Sequence, residues 1–546
     1  MLAVVIAAFL LLTNASIPFA NGGSCDPWHY FGQYFLAAQP SATLPIRDLA
    51  RVPEFLIGYL LERAVHGIAV QYLNFLIFFV SAATAIYFAV KRLFGFVPAT
   101  VALIFFAAQP LVIGNYSLTY TEASVSYSAL AIAFAIFSSA EVRGRRIAYV
   151  ILSGFFWASA IHAHLESLTV NFIVPLYCIN WRNASVASQL RDIAEKGVAL
   201  LAGGLCATAV FGAINVALFH GQFFFFIKQF QAIFTIQIKS YEKPDWYLHS
   251  GRGALILLGL VVTAVQGRYV WRRGTVNAET AAILAAIVPF FVMMTAQLVY
   301  TFFFDGLSLE YDYWFVWIIA PLAIALGSLI SRVSLPMEKA GPLLTVYCAA
   351  SLVGTLGRGS EGWPFVVAAA VPFAVVLLLL GALGFINSRP AMALCIVLLC
   401  LAAIGATVRP EKYGLYAWTG QNQRDTYERV DQGMEYLAGL HLPKVPKFWT
   451  IGYGDSWETI AYARSYNYCL FQYLLPELLH AGDENFIADN DNFLPGDYLV
   501  LAARNDAQLG IALTKLKQQG RTFERLGSQD ISYKQLSYVI VVGVVH

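Results

Sequence analysis

Four stretches of the sequence place acids and histidines beside long apolar segments, where their side chains could carry out proton transfer. The first contains Asp26, His29 and Tyr30, and the second, GNYSLTYTEAS, contains Glu122. The third is IHAHLES and the fourth is FFFDGLSLEYDYWF. Acids and histidines at the edge of an apolar layer suit the removal of a proton from a hydroxyl group, or the binding of a metal ion. Each acid could instead cap a helix or pair with a loop arginine, and this alternative stays open at all four stretches.

The third stretch holds two histidines, His162 and His164, as candidate substrate contacts, with Glu166 close by. Residues two positions apart on a helix point in different directions, so the histidines can bind one metal ion only if the turn is irregular. A hydrogen bond to a substrate, or polar packing, is therefore favoured over metal binding. In the fourth stretch, Glu310 and Tyr313 are the candidate substrate contacts.

A further candidate region is rich in aromatic residues and lysines. In FFFFIKQFQAIFTIQIKSYEKPDWYLHS, aromatic residues alternate with Lys228, Lys239 and Lys243. Apolar groups that lie on lipid and amines that meet phosphate suit a ligand that combines a lipid with a phosphate. An ordinary interfacial helix, whose lysines extend towards water, would give the same pattern.

The elements that must position these residues are membrane-spanning helices. Of the 546 residues, 58% are hydrophobic and 12% are charged, whereas a soluble protein usually has about 25% charged residues. Apolar runs of membrane-spanning length recur as far as Val408, so we predict an α-helical protein that crosses the membrane several times. The net charge of +2 gives no reason to expect nucleic acid as a partner.

We predict about thirteen transmembrane helices from the apolar runs. They cover residues 2–19, 66–90, 97–114, 123–140, 147–161, 168–180, 198–219, 254–266, 281–303, 314–330, 341–356, 364–386 and 391–408. The loops that follow the even-numbered spans are richer in lysine and arginine than the alternate loops. The positive-inside rule places those loops in the cytoplasm, and therefore places the four polar stretches on the outer side.

This topology divides the chain into two regions. Residues 1–408 form a transmembrane module with long outer loops at 20–65 and 220–253. Residues 409–546 are polar, and runs such as DYLVLAA, SYVIVVGVV and LGIALTKLKQQ predict strands and an amphipathic helix. We therefore predict a mixed α/β domain on the outer side. Residues 2–19 could instead be a cleaved signal peptide, although no basic residue precedes this apolar run.

The order of motifs resembles the GT-C glycosyltransferases, a superfamily of membrane enzymes. The local likeness rests on DPWHY at 26–30, RVP at 51–53 and GY at 58–59. The stretch NFLIFFVSAATAIYFAVKRLFG then resembles the family's second span. The closest likeness is to the bacterial branch that includes protein O-mannosyltransferases and the aminoarabinose transferase of lipid A. It covers the membrane region, is sharpest over residues 21–135 and is vague in the tail.

The resemblance implies roles for residues near the first and second acids. Asp26 matches the catalytic acid of the family's first outer loop, and Glu122 stands where the family has a second acid, commonly Asp. Trp28 and Tyr30 offer flat aromatic faces to a sugar ring, and His29 would assist the acid or form a hydrogen bond.

Contacts to a phosphate are implied for Arg51 and for the three lysines of the aromatic segment, because cations stabilise a departing phosphate. Arg51 is preferred because a guanidinium group binds phosphate through two parallel hydrogen bonds. The segment EYDYWFVWIIAPLAIALG matches a family stretch that often carries Arg or His with Tyr. Here Tyr313 stands beside Glu310 and the basic residue is missing.

The resemblance also implies a reaction. A sugar would move from a polyprenyl-phosphate donor to a hydroxyl of a lipid, glycan or protein, with inversion at the anomeric carbon. Asp26 would accept the proton of that hydroxyl. Family members differ in their need for a divalent metal ion, which Asp26 and Glu122 would bind if one is required. The implied location is the outer, periplasmic face of the bacterial inner membrane, with membrane lipids as further partners.

Two other functions stay open at this point. A flippase or transporter of lipid-linked saccharides would use the acids to line a pathway at mid-membrane depth. The acids instead cluster at the predicted outer edge, and the internal repeats of many transporters are not visible in the sequence. A membrane-anchored glycan-assembly protein would instead act through residues 409–546.

Overall fold

The chain has a helical region followed by a small sheet region. The computed structural model describes residues 51–65, 69–107, 109, 112, 121–139, 143–182, 185–219, 221–227, 252–304, 312–332, 436, 439–443, 447–450, 494–503, 506–533 and 536–546.

Helices α1 to α11 lie in the first region, and most of them follow the predicted spans. Their bounds are α1 Val52–Glu62, α2 Ala69–Phe94, α3 Phe96–Ala107, α4 Glu122–Phe137, α5 Arg143–Ala163, α6 Leu168–Asn171, α7 Val174–Tyr177, α8 Val186–Phe219, α9 Arg252–Arg273, α10 Ala278–Phe304 and α11 Asp312–Ile330. The second to fifth and the seventh to tenth predicted spans each coincide with one helix. The first span and the last three lie outside the described residues.

Four of the described helices are long and apolar enough to cross a membrane, judged by length and composition. Their spanning segments are Leu73–Phe94, Gly144–Ala163, Ala187–Phe219 and Ala278–Val299. Shorter apolar helices include Phe96–Ala107, Glu122–Phe137 and Val316–Ile330. The helical character of the region is confirmed, while the total of thirteen spans stays a prediction.

The sixth predicted span is a broken helix. A 3-10 turn, Leu165–Ser167, is followed by the two short helices α6 and α7. Pro175 lies in the first turn of α7, where its missing N–H group ends any continuous run of helical hydrogen bonds. The side-chain amide of Gln297, on α10, donates a hydrogen bond to the carbonyl of Thr169 within this break.

The outer loop predicted at 20–65 contains the helix α1. Pro53 lies at its start and Glu54 in its first turn, and both positions are favourable for these residue types. Two aromatic side chains fix α1 against the end of α8. The rings of Phe55 and Tyr59 meet the ring of Phe219 edge to face, with centroids 5.0 and 4.9 Å apart.

Helix α11 lies at the centre of the described helices. Residues 316–330 are all buried, and α11 contacts α2, α3, α4, α9 and α10. A helix that is apolar on every side belongs in the interior of a bundle. Trp317, near its start, is among the largest fully buried side chains of the described residues.

Helices α5 and α8 pack closely through glycines. A Cβ atom added at Gly154 of α5 would lie 2.0 Å from the carbonyl oxygen of Leu200, and one added at Gly203 of α8 would lie 2.0 Å from that of Ile151. The two backbones can therefore come together only because neither glycine has a side chain.

The second region contains a four-stranded sheet with the order β1-β2-β4-β3. The strands are β1 Lys447–Thr450, β2 Tyr498–Ala503, β3 Phe523–Tyr533 and β4 Leu536–Val545. Strand β1 pairs with β2 in parallel, and the other neighbours are antiparallel. Leu516 of helix α12, Asp506–Gln518, belongs to one buried hydrophobic cluster with Leu499 and Val541. The strands and the helix predicted here are confirmed, while the domain boundary at 409 stays a prediction.

Candidate active site

The start of α1 carries two buried ionisable side chains, Arg51 directly before the helix and Glu54 in its first turn. Only 4% of Arg51 and 3% of Glu54 is exposed. The backbone N–H of Glu54 donates to the carbonyl of Arg51 at 2.8 Å, so one helical turn separates the two residues. The hydroxyl of Tyr127, on α4, donates to the carbonyl of Pro53 at 3.3 Å. This contact holds the start of α1 against α4.

Glu122 begins α4, as its position in the sequence indicated, and it is only 1% exposed. The hydroxyl of Ser126, one turn further on, lies 2.7 Å from the carbonyl oxygen of Glu122 and 2.8 Å from that of Phe78 on α2. The serine therefore ties the first turn of α4 to α2, which fixes the backbone beneath the carboxyl group.

The carboxyl groups of Glu54 and Glu122 are close neighbours inside the protein. None of their four oxygens accepts a well-formed hydrogen bond from the described residues. Burial raises the pKa of Glu54 well above its usual value of 4.5; the charge of Glu122 raises it further, and Arg51 acts in the opposite direction. Two like charges in contact away from water disfavour each other. Glu54 therefore holds a proton more readily than an exposed glutamate does.

The chain leaves the helical path at His164. Helix α5 ends at Ala163, His164 has the extended angles φ −150° and ψ 109°, and the 3-10 turn follows directly. His164 Nδ1 lies 2.7 Å from Oε2 of Glu166. A regular helix would point residues two positions apart in different directions. The irregular turn is what brings this imidazole and this carboxylate together.

His164 is fully buried, and its ring is held on one side by Trp317. The centroids of the two rings are 5.2 Å apart. The indole N–H of Trp317 donates to the hydroxyl of Ser124 at 3.2 Å, and that hydroxyl donates to the carbonyl of Ala160 at 2.9 Å. These contacts join α11, α4 and α5 around the imidazole.

Glu166 has a different environment from Glu54. Burial by itself would raise the pKa of Glu166, but His164 and, to a smaller extent, Arg51 lower it, and the net result lies well below the usual value. Its side chain is 31% exposed. Glu166 is therefore an ionised carboxylate at neutral pH and one that solvent can reach.

His162 has partners of its own. Its Nε2 lies 2.9 Å from the hydroxyl oxygen of Thr208 on α8. Its ring packs on Phe225 and Phe226, with centroids 5.2 and 5.4 Å away. The two histidines of IHAHLES thus serve separate contacts. Among the described residues, no group of three or more His, Cys, Asp or Glu side chains is arranged to hold a metal ion.

The structure therefore gathers three predicted site residues, Arg51, Glu122 and His164, with Glu166 of the same stretch as His164 and with Glu54, which the sequence analysis does not name. Glu54 could have been found from its place directly after a proline, which is a typical helix start. Other predicted residues lie outside the described part of the chain: Asp26, Trp28, His29, Tyr30, Lys228, Lys239, Lys243 and Glu310. Tyr313 lies in the first turn of α11.

Comparison with known proteins gives a match of fold. No protein-family model and no curated protein matches the chain. The crystal structure of ArnT from Cupriavidus metallidurans bound to undecaprenyl phosphate matches with a TM-score of 0.53 and 14% identity, over 99% of this chain and 97% of that chain. The chain shares the fold of ArnT. The likeness to GT-C glycosyltransferases that the motifs indicated is thus confirmed at the level of the fold.

A second solved structure matches less well. It is the Archaeoglobus fulgidus oligosaccharyltransferase in the apo form, with a TM-score of 0.42 and 12% identity, over 85% of this chain and 63% of that chain.

Proposed function

We propose that the protein is an inverting glycosyltransferase of the membrane. It moves a sugar from a polyprenyl-phosphate donor to a hydroxyl of a lipid, glycan or protein, at the outer face of the bacterial inner membrane. The proposal rests on one observation: a group of acids and one arginine, most of them buried, from α1, α4 and the turn after α5, in a fold shared with ArnT. ArnT was crystallised with undecaprenyl phosphate.

The reaction needs a base and a place for the departing phosphate. The hydroxyl oxygen of the acceptor attacks the anomeric carbon, the bond from that carbon to the phosphate oxygen breaks, and polyprenyl phosphate leaves. Asp26 takes the proton of the hydroxyl, as the likeness of its motif implies. Glu122 orients the acceptor from the start of α4, where its backbone is fixed by Ser126.

Among the described residues, Arg51 is a cation that could meet the departing phosphate. Its charge reaches both Glu54 and Glu166. Because burial favours a proton on Glu54, Glu166 is the main ionised neighbour of Arg51 among these two acids. A guanidinium group at this place would suit a phosphate oxygen, which it can contact through charge-assisted hydrogen bonds. Lys228, Lys239 and Lys243 stay candidates for the same role.

Among the described residues, no group of three or more His, Cys, Asp or Glu side chains is arranged to hold a metal ion, and the expected ligand Asp26 lies outside them. A metal bound by Asp26 and Glu122 stays a prediction of the sequence.

The proposal is tested by mass spectrometry of envelope glycolipids and glycoproteins from cells with and without the protein. We expect the loss of one hexose or pentose from one acceptor class. Re-expression of the wild type should restore it, whereas Glu122→Gln should restore much less. The matched control is Glu195→Gln, which removes a carboxylate that pairs with Arg146 at 3.6 Å. Arg146 lies near the start of α5, whereas His164 and Glu166 follow the other end of that helix.

Two results would count against a transferase. An unchanged set of glycans would remove the proposed reaction. If cells that lack the protein accumulate intact lipid-linked saccharide on the cytoplasmic side of the membrane, that result would support the flippase alternative instead.

A further inference from the structure

Glu166 differs from its neighbours in this group because part of its side chain is exposed. Arg51, Glu54 and Glu122 are at most 4% exposed, and His164 is not exposed at all. The side chain of Glu166 is 31% exposed. Burial is nevertheless the largest single influence on its pKa. Part of this side chain is therefore exposed, while the rest is packed against protein.

The position of Glu166 is set by its partners. Its Oε2 atom lies 2.7 Å from Nδ1 of His164, and that imidazole is held against Trp317. The hydroxyl of Thr169 donates to the backbone carbonyl of Glu166 at 2.7 Å. A carboxylate fixed in this way presents its accessible part in a defined direction and loses little entropy when it binds a ligand.

The charge of Glu166 decides what kind of ligand it suits. His164 and Arg51 hold its pKa well below the usual range, so it is a weak base and a poor choice for taking a proton from a hydroxyl. An ionised carboxylate accepts hydrogen bonds through both oxygens and donates none. Hydroxyl groups are its natural neutral partners.

The neighbouring arginine indicates which hydroxyl groups these are. In a glycosyl phosphate, the sugar is bonded directly to the phosphate, so a side chain next to the phosphate site meets the sugar ring. Arg51 is close enough to Glu166 to lower its pKa. We propose that Glu166 binds hydroxyl groups of the donor sugar, with His164 as the residue that positions it. This inference rests on the proposed function.

Binding measurements with two kinds of probe separate this role from a structural one. The full-length protein in lipid nanodiscs is titrated with undecaprenyl phosphate and with undecaprenyl phosphates that carry glucose, mannose, galactose or arabinose. We expect the wild type to bind at least one glycosylated probe more tightly than undecaprenyl phosphate. Glu166→Gln should weaken that probe about 10- to 100-fold, the range expected for a hydrogen bond to a charged group.

The same variant should bind undecaprenyl phosphate at least as tightly as the wild type, since it loses a negative charge beside Arg51. Glu195→Gln, the matched control, should leave both affinities unchanged. If Glu166→Gln does not fold, Glu166→Asp is used, which keeps the charge but shortens the side chain. It should weaken the glycosylated probe alone.

Three results would overturn the assignment of Glu166. They are an equal loss of both probes in the variant, an unchanged advantage of the glycosylated probe, or the absence of any such advantage in the wild type. A wild type that binds neither kind of probe would overturn the proposed function itself.

Discussion

Two glutamates of the site show how neighbours determine what a carboxyl group can do. Glu54 lies away from water beside Glu122, and burial raises its pKa well above 4.5. Glu166 meets His164 and Arg51, and its pKa is lowered despite its burial. The first is disposed to carry a proton and the second to stay ionised. The same residue type therefore supplies two different chemical groups within one site.

Asp26→Asn tests the base of the proposed reaction. Asparagine keeps the shape of the side chain but cannot accept the proton of the acceptor hydroxyl, so turnover should fall by about 10²–10⁴-fold. Binding of undecaprenyl phosphate should persist, and both quantities are measured on the purified protein. Glu122→Gln should lose less activity. A variant that transfers sugar at nearly the wild-type rate would rule out Asp26 as the base.

Glu54→Gln tests the raised pKa of Glu54. A carboxyl group whose pKa is raised by folding favours the native state below its usual pKa of 4.5 and loses this contribution as the pH rises towards the native value. Glutamine is neutral throughout, so the melting temperature of the variant, relative to that of the wild type, should rise as the pH increases above 5. Thermal melts in detergent at several pH values measure the difference.

The control for this experiment is Glu279→Gln, at an exposed glutamate in the first turn of α10. It should show no growing difference. A Glu54→Gln variant that becomes relatively less stable as the pH rises would contradict the assignment.

The sequence could predict only part of this site. Glu122 was identified because an acid stands out next to an apolar run. Glu54 was not, because its partner Glu122 is 68 positions away and the contact depends on how α1 packs on α4. His164 and Glu166 are visible in the sequence, but their contact needs a 3-10 turn that no helical or strand period reveals.

At the scale of secondary-structure elements, the pair α5 and α8 depends on close contact between backbones. Gly203→Ala should destabilise the protein by about 1–3 kcal/mol, the usual cost of extra volume in a packed interior. The added methyl group would lie 2.0 Å from the carbonyl oxygen of Ile151, and backbone cannot move aside as a flexible side chain does. Thermal melting of the purified protein measures the loss.

Gly197→Ala provides the matched control on the same helix. No heavy atom lies within 4 Å of the Cβ that it would add, and alanine is favoured over glycine in a helix by about 1 kcal/mol. This variant should be as stable as the wild type or more so. Equal losses in both variants would show that the helix backbone, and not the contact with α5, is the cause.

Element boundaries were predictable where the apolar run was long. Helix α2 and helix α10 follow their runs within a few residues. Helix α8 begins at Val186, earlier than the predicted residue 198, because its first turns are polar and carry charged residues that extend beyond the apolar part. The sixth span was predicted as continuous, since hydropathy alone does not register the break before Pro175.

At the scale of the whole molecule, the orientation in the membrane is the prediction on which the site depends. A reporter enzyme that is active only outside the cytoplasm should work when fused after His546 and fail when fused after Arg145. The reason is the excess of lysine and arginine in the loops after even-numbered spans. The reverse pattern would place the whole group of acids on the cytoplasmic side.

The broken sixth span and the helix that packs on it are made at different times. The carbonyl of Thr169 accepts a hydrogen bond from Gln297, which the ribosome adds 128 positions later, roughly 6–26 s at ordinary rates of synthesis. Helix α10 contacts both α6 and α7. The segment that forms these two short helices is therefore synthesised seconds before the helix that packs against it.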